Sequence, residues 1–147
     1  MSIKNSKIHK SVKIYYPKLV NIYDCTIKEQ TTIGPFVEIQ NSTIIGNNTR
    51  IQSHSFICEK VVIGKNCFIS HGVMFINDSF KSGKVRKNRN KFEKTIVGNN
   101  VIIGSNATIL PVKISNGVII GAGSVVTKNI LIKGIYAGNP AKFIRKL

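Results

Sequence analysis

The chain holds three histidines and six carboxylates, so the candidates for general acid–base chemistry are few. They are His9, His54, His71, Asp24, Asp78, Glu29, Glu38, Glu59 and Glu93. The run Ile69-Ser70-His71-Gly72-Val73-Met74-Phe75-Ile76-Asn77-Asp78-Ser79-Phe80 is the densest, placing an imidazole, an amide and a carboxylate close together in sequence. Such a set can take a proton, orient a polar group, or accept hydrogen bonds. It does not suit a metal: the histidines are not spaced for one cluster, and Cys25, Cys58 and Cys67 form no close C-x-x-C pair. An odd, scattered set of cysteines also argues against a disulfide framework and for a reducing cytoplasm.

The elements that must position these residues follow from a period of six. Ile27, Ile33, Ile39, Ile45, Ile51, Ile57, Ile63 and Ile69 recur without a break, and Phe75 takes the next place. A second run reads Val97, Ile103, Ile109 and, after one missing residue, Ile114, Ile120, Val126 and Ile132. On a helix, six residues at about 100° each would leave successive isoleucines about 240° apart. On extended chain an even offset keeps them on one side. Four residues after each stands a second inward position, small or β-branched: Thr31, Val37, Thr43, Thr49, Ser55, Val61, Cys67, Val73, then Val101, Ala107, Val118 and Ser124. One large and one small residue per hexad describes a narrow prism filled in layers. Gly34, Gly46, Gly64, Gly98, Gly104 and Gly121 follow the large residue, with Asn47-Asn48 and Asn99-Asn100 behind, and they predict tight corners at positive φ. The period predicts an all-β parallel helix of stacked coils over residues 1–147 as a single domain, its first coil distorted around Tyr15-Tyr16-Pro17.

At 147 residues the chain suits one domain. Its 42% hydrophobic content excludes disorder despite a net charge of +16. No apolar run reaches the roughly 18 residues of a membrane span, and Met1–Lys7 lacks the apolar stretch of a secretory signal. The charge is compatible with nucleic acid, an anionic membrane or phosphorylated small molecules, and equally with lysine carried as a solvated surface; nucleic acid is the lesser reading, because the basic stretch Lys81–Lys94 is broken by Ser, Gly, Val and Asn.

The hexad register stops after Phe75 and resumes at Val97. A long excursion at about 77–95 that interrupts a repeat carries function more often than stability, and Phe80, Val85 and Phe92 give it apolar anchors. At the other end, Asn139 and Pro140 predict a cap and first turn for a short helix over about 139–147, closing the open end of the prism.

The hexads, over about Ile8 to Arg145, resemble the hexapeptide-repeat acyltransferases, whose left-handed β-helix has three hexads per coil. The tail Ile135-Tyr136-Ala137-Gly138-Asn139-Pro140-Ala141-Lys142 looks like their C-terminal signature. The resemblance implies acetyl-CoA as co-substrate. Ser105, Ala122 and Gly123 match positions where small residues admit pantetheine, and Lys128, Lys142 and Arg145 match the end that meets the phosphates.

The run His71–Phe80, with Ser105-Asn106-Ala107-Thr108-Ile109-Leu110-Pro111, is similar to transferases that acetylate the amine of nucleotide-linked deoxyamino sugars, notably dTDP-linked 3-amino-3,6-dideoxyhexoses used in bacterial surface polysaccharide synthesis. That likeness points to Asn77, His71 and Asp78 as catalytic candidates and to Asn77, Asp78 and Phe80 as acceptor-binding candidates. Glu59 joins the acceptor-binding set on register alone, since it lies three hexads before Asn77, one full coil, and stacks on the same edge. An acyltransferase acting on a simple sugar or an antibiotic, and a non-catalytic β-helix scaffold, remain as alternatives. Positions five after each large residue point outward yet are often apolar: Ile44, Phe56, Val62, Phe68, Met74, Ile102, Ile119 and Val125. A contiguous outer stripe predicts an interface, and the resemblance implies a homotrimer with active sites between subunits.

Overall fold

Each hexad folds in the same way, and Phe56–Val61 shows how. Phe56 and Ile57 form a two-residue strand with the phenyl ring turned outward and the isoleucine wholly buried. Lys60 then turns the corner at φ 65°, and Val61 points inward again. In the computed structural model, which describes residues 2–147, the corner residue takes a positive φ at every sixth position from Gln30 through Phe36, Ser42, Asn48, His54, Lys60 and Asn66 to Gly72. That backbone costs a non-glycine residue about 1 kcal/mol. The cost is offset because each corner amide finds an acceptor one coil back: Gln30 N–H the Ser11 Oγ at 2.9 Å, and the rest a carbonyl, as His54 N–H does on Pro35 O at 3.2 Å and Lys60 N–H on Asn41 O at 3.2 Å.

Stacked coils give three parallel faces. The first runs from Ile3–Lys4 to Val125–Val126 (seven strands), the second from Lys7–Ile8 to Lys113–Ile114 (six), and the third from Lys13–Ile14 to Lys142–Arg145 (eight). Faces one and two meet at a first corner, two and three at a second, three and one at a third. The register is that of a hexapeptide-repeat β-helix, consistent with the left-handed form: Glu38 pairs with Phe56 and Phe56 with Met74, each step one coil of three hexads. The residue missing before Ile114 shortens the next coil by one, so Ile102 pairs with Ile119 and Thr108 with Val125. Among the described residues no helix is long and apolar enough to cross a membrane.

The inward column of isoleucines is 0–1% exposed from Ile27 to Ile69. Buried Thr and Ser hydroxyls in the small column do not go unpaired. Thr31, Thr43, Thr49 and Ser55 donate to the carbonyls of Gly46, Cys58, Gly64 and Ser70 at 2.9–3.1 Å. Polar groups thus enter the core without the desolvation cost of an orphan hydroxyl.

Three expectations are corrected. The glycines that follow the isoleucines do not supply the positive φ; the residues two places on do, and these include Asn48 and Asn100 of the expected Asn pairs. Gly46, Gly64 and Gly98 climb the second corner, and a Cβ on Gly64 would stand 2.5 Å from Gly98 O. They are needed for close approach of successive coils. Ile132 is 68% exposed, while Ile130 fills the inward place and bridges to Ile114. The chain shortens this last coil, which moves the column by two residues. There is also no helix at 139–147. Ile135–Ala137 and Lys142–Arg145 form an antiparallel pair, Tyr136 facing Phe143. The chain reverses at Gly138 (φ 102°) and Pro140, and Ala141 N–H is already bonded to Val125 O at 2.8 Å. With that amide taken, the free edge of Ile135–Ala137 is best satisfied by a returning strand.

Candidate active site

Residues 76–94 leave the first corner after Met74–Phe75 and rejoin the second face at Thr95–Val97, which pairs with Val61–Ile63 as if nothing intervened. Between excursion and coil lies a cavity of about 400 Å³ lined by Glu59, Asn77, Asp78, Phe80 and Arg89, with Gln40, Phe56, Cys58, Phe75, Ile76 and Phe92 completing the wall. The three-hexad register brings Glu59 and Asn77 together here, one from each of two successive coils.

The Glu59 side chain is only 8% exposed, and its partner is the 73% exposed guanidinium of Arg89, Nε to Oε1 at 3.4 Å. Burial of the thiol pushes Cys58 up to about 12, so it is a neutral wall. Asn77 holds the rim with its backbone, its carbonyl accepting the Glu93 N–H at 3.0 Å.

Asp78 is already engaged. Its Oδ1 accepts the Phe80 N–H at 2.9 Å and its Oδ2 the Arg86 N–H at 2.7 Å. The hydrogen bond from the Arg86 amide, outweighing some desolvation and helped by the Phe80 amide and the Arg86 charge, holds this carboxyl below its ordinary range. Arg86 is the hub of the excursion, donating to Glu93 Oε1 at 2.7 Å and to Lys91 O at 2.7 Å. Burial would raise the Glu93 carboxyl, but hydrogen bonds from Ser79 and Arg86 and the Lys81 charge hold it low. Asp78 therefore shapes the loop that carries Phe80, which itself turns at φ 52° over the cavity.

His71 is not at this cavity. It sits exposed on the third corner, one prism side away, with Nδ1 and Ser53 Oγ 2.8 Å apart. Its carbonyl accepts Asn106 N–H at 2.9 Å, and Gly123 N–H donates to Ser105 O at 2.8 Å, so His71, Ser105, Ala122 and Gly123 climb one edge. A Cβ built on Gly123 meets nothing within 4 Å, which leaves this edge open to a ligand. Lys128 emerges exposed beyond Val125–Val126, while Lys142 and Arg145 are exposed on the last strand of the third face. Glu59, Asn77, Asp78 and Phe80 thus gather at the first corner and His71, Ser105, Ala122 and Gly123 at the third, while Lys128 follows the last strand of the first face and Lys142 and Arg145 sit on the third face.

Gln40, Arg89 and Phe92 join the site without having been expected there. Gln40 precedes Cys58 by three hexads, so the rule that links Glu59 to Asn77 reaches it too. Arg89 and Phe92 belong to the aperiodic excursion, where the sequence carries no register to place them. Among the described residues no cluster of three His, Cys, Asp or Glu side chains could hold a metal.

A repeat prism with a lateral pocket defines a class, and family models identify it. Residues 24–59 and 42–77 match the bacterial transferase hexapeptide (six repeats), and residues 94–128 match the hexapeptide repeat of succinyl-transferase, together more than half of the chain. The chain belongs to the hexapeptide-repeat transferases. It is 35% identical over 135 residues to the bifunctional protein GlmU of Ruthia magnifica subsp. Calyptogena magnifica, covering 86% of this chain and 29% of that protein. It is 40% identical over 107 residues to a probable macrolide acetyltransferase of Lysinibacillus sphaericus, covering 58% of this chain and 59% of that one. The chain thus spans less than two thirds of the length of either relative. Among solved structures it is similar to a mutant of AntD, an N-acyltransferase from Bacillus cereus, in complex with dTDP-4-amino-4,6-dideoxyglucose and coenzyme A. That match has a TM-score of 0.51 and 27% identity, over 97% of this chain and 81% of that one.

Proposed function

We propose that this chain moves an acetyl group from acetyl-CoA to the amino group of a nucleotide-linked deoxyamino sugar, with dTDP as the nucleotide, and that it works as a homotrimer. The observation that carries the reading is Glu59: a carboxylate with an 8% exposed side chain, in a cavity lined also by Phe56, Phe80 and Phe92. A buried anion walled by aromatic faces is built to receive a cation. Its present partner is an exposed surface side chain, which an incoming ammonium can replace. The AntD likeness supports a dTDP-linked amine and coenzyme A as the ligand pair.

In this reading Glu59 accepts a hydrogen bond from the sugar ammonium and fixes the amine beside the neutral amide of Asn77. Once the ammonium gives up one proton, its nitrogen lone pair attacks the thioester carbonyl carbon. The C–N bond forms and the C–S bond breaks; the first ammonium proton has passed to solvent, and the proton that the nitrogen sheds as the amide forms protonates the departing coenzyme A thiolate. An amine is a good nucleophile unaided, so positioning supplies most of the acceleration. Pantetheine lies along the open edge of Ser105, Ala122 and Gly123, with Lys128, Lys142 and Arg145 near its phosphates. That edge and the Glu59 cavity stand on different corners, so a complete site takes its donor edge from one copy and its acceptor cavity from another. The outward apolar residues support such contacts on all three faces: Phe56 and Met74 on the first, Ile44 and Val62 on the second, Phe68, Ile102 and Ile119 on the third.

The macrolide acetyltransferase likeness favours a second reading, in which the acceptor is an antibiotic hydroxyl. A hydroxyl needs a base, and His71, its Nδ1 engaged with Ser53, would present Nε2 for that role. Thermal shift with coenzyme A, acetyl-CoA, dTDP and UDP tests both, because a ligand that binds the folded state raises its melting temperature. Shifts with coenzyme A and dTDP are expected. No shift with coenzyme A rejects both readings, and a shift with coenzyme A alone selects the second.

A further inference from the structure

The excursion that walls the cavity is tied to the coil at its far half by one dipeptide. Glu59 grips the side chain of Arg89, and the next residue, Lys60, grips the backbone beneath it. Lys60 Nζ donates to Arg89 O at 2.9 Å, to Asn90 O at 3.1 Å and to Phe92 O at 3.4 Å. All three donor positions of the ammonium are spent on the carbonyl end of the single turn Arg89–Lys91. Arg89 O also accepts the Phe92 N–H at 3.1 Å, and a cation at the carbonyl end of a turn is favourable. Arg86, the other organiser of the loop, bonds only within residues 78–93 and ties nothing to the coil.

We propose that Lys60 is a positioning residue for the acceptor, acting through residues 89–92 rather than by touching substrate. This rests on the reading of the cavity as the acceptor site. By fixing the carbonyl of Phe92, Lys60 sets the aromatic wall opposite Phe56. By fixing the backbone of Arg89, it keeps the guanidinium within reach of Glu59 while leaving the side chain free to swing away. An entering ammonium therefore displaces one side chain and not the loop. The backbone of Lys60, at φ 65°, places its side chain on the outer turn of the corner, next to Glu59. The two residues divide the work there between backbone and side chain of the same turn.

Lys60→Met keeps the length of the side chain and removes the ammonium; Lys60→Arg restores a cation. Hydrogen exchange of the amides of Lys91, Phe92 and Glu93 should quicken roughly tenfold in Lys60→Met, with coil amides such as Ile57 and Ile63 unchanged. With a panel of dTDP-linked amino-dideoxyhexoses and acetyl-CoA, the acceptor KM should rise about tenfold while the acetyl-CoA KM stays put, and Lys60→Arg should recover most of the loss. Unchanged loop exchange in Lys60→Met overturns the tether. Faster exchange with an unchanged acceptor KM overturns the positioning role. If the wild-type protein turns over none of these sugars, the acceptor reading fails by itself, and loop exchange still decides whether Lys60 holds the turn.

Discussion

Asn77 stands one coil above Glu59 on the same corner, three hexads later, and both residues line one cavity although the chain has travelled around the whole prism between them. Their separation in sequence is a full turn of the repeat; their separation in space is one strand spacing, about 4.8 Å of backbone. Glu59→Gln, which removes the charge and keeps the shape, should raise the acceptor KM about tenfold and leave kcat nearly unchanged, as loss of uniform binding does. Asn77→Ala should lower kcat/KM by about 10²-fold, because it disturbs the orientation of the amine. His71→Ala should cost less than either. Steady-state kinetics with both substrates varied would check all three, and loss of turnover in His71→Ala with Asn77→Ala intact would select the hydroxyl-acceptor reading.

Two half-sites on two corners lead to a complementation test. Chains carrying Ala122→Trp should lose the donor edge, and chains carrying Asn77→Ala the acceptor cavity. Co-expressed, they should form mixed trimers with some wild-type sites and recover activity; co-expression of the double variant with either parent should recover less. Sedimentation should give a species of three times 16.2 kDa. A monomer at micromolar concentration, or no recovery in mixed trimers, contradicts the shared site.

The excursion should loosen in acid. Asp78 and Glu93 both have their carboxyl ionisation held below the ordinary range by bonds made only in the folded loop. Such groups stabilise the fold above the unfolded carboxylate range and lose that contribution as pH falls through it, from about pH 5 downward. Pepsin should therefore cut near Phe80 or Phe92 at about pH 3 while circular dichroism of the coils is retained. Glu93→Gln, which gives up one ionised partner of Arg86, should shift the onset of cutting to higher pH.

Corner glycines should differ sharply in tolerance. Gly64→Ala drives a Cβ to 2.5 Å from Gly98 O, a backbone atom that cannot swing aside. A loss of about 1–3 kcal/mol is expected, visible as a melting temperature several degrees lower. Gly123→Ala meets open space and suffers only from its φ of 66°, about 1 kcal/mol. Equal losses at the two positions would show that conformation, not coil spacing, dominates both.

The three cysteines should be inert in the native state. Burial raises all three thiols, Cys58 to about 12, so thiolate is scarce at pH 8. A chromogenic disulfide reagent should react slowly until denaturant is added and then titrate all three. Because the unfolded thiols ionise first, stability should decline as pH rises above about 9.

The prism is legible in the sequence because its core obeys a strict arithmetic: from Ile27 to Phe75 every sixth side chain is buried, and the small column between them is buried too. The stacking of Glu59 on Asn77 comes from the same arithmetic. What the period cannot reveal is anything that leaves it. Phe92, Arg89 and the Lys60 tether depend on an excursion whose path is set by Arg86 and Asp78, not by a repeat. The glycine corners mislead for a different reason. A Gly in a repeat signals either a left-handed backbone or a close neighbour, and only the position of the next coil distinguishes them. At the tail, Asn139-Pro140 carries the local signature of a helix start, but the unpaired edge of Ile135–Ala137 claims the chain as a strand.

The return of the excursion at Thr95, in register with Val61, has a further consequence. The frame closes behind residues 76–94 with the same pairings it would have with an ordinary corner, Val62 to Ile96 and Ile63 to Val97. The wall to which the proposed reading gives selection of the acceptor is therefore a cassette, seated on the prism but not woven into it. A different loop could be spliced between Phe75 and Thr95 without disturbing a single buried isoleucine. In such a molecule, what is acetylated can diverge rapidly while the machinery that handles the acetyl donor stays where it is.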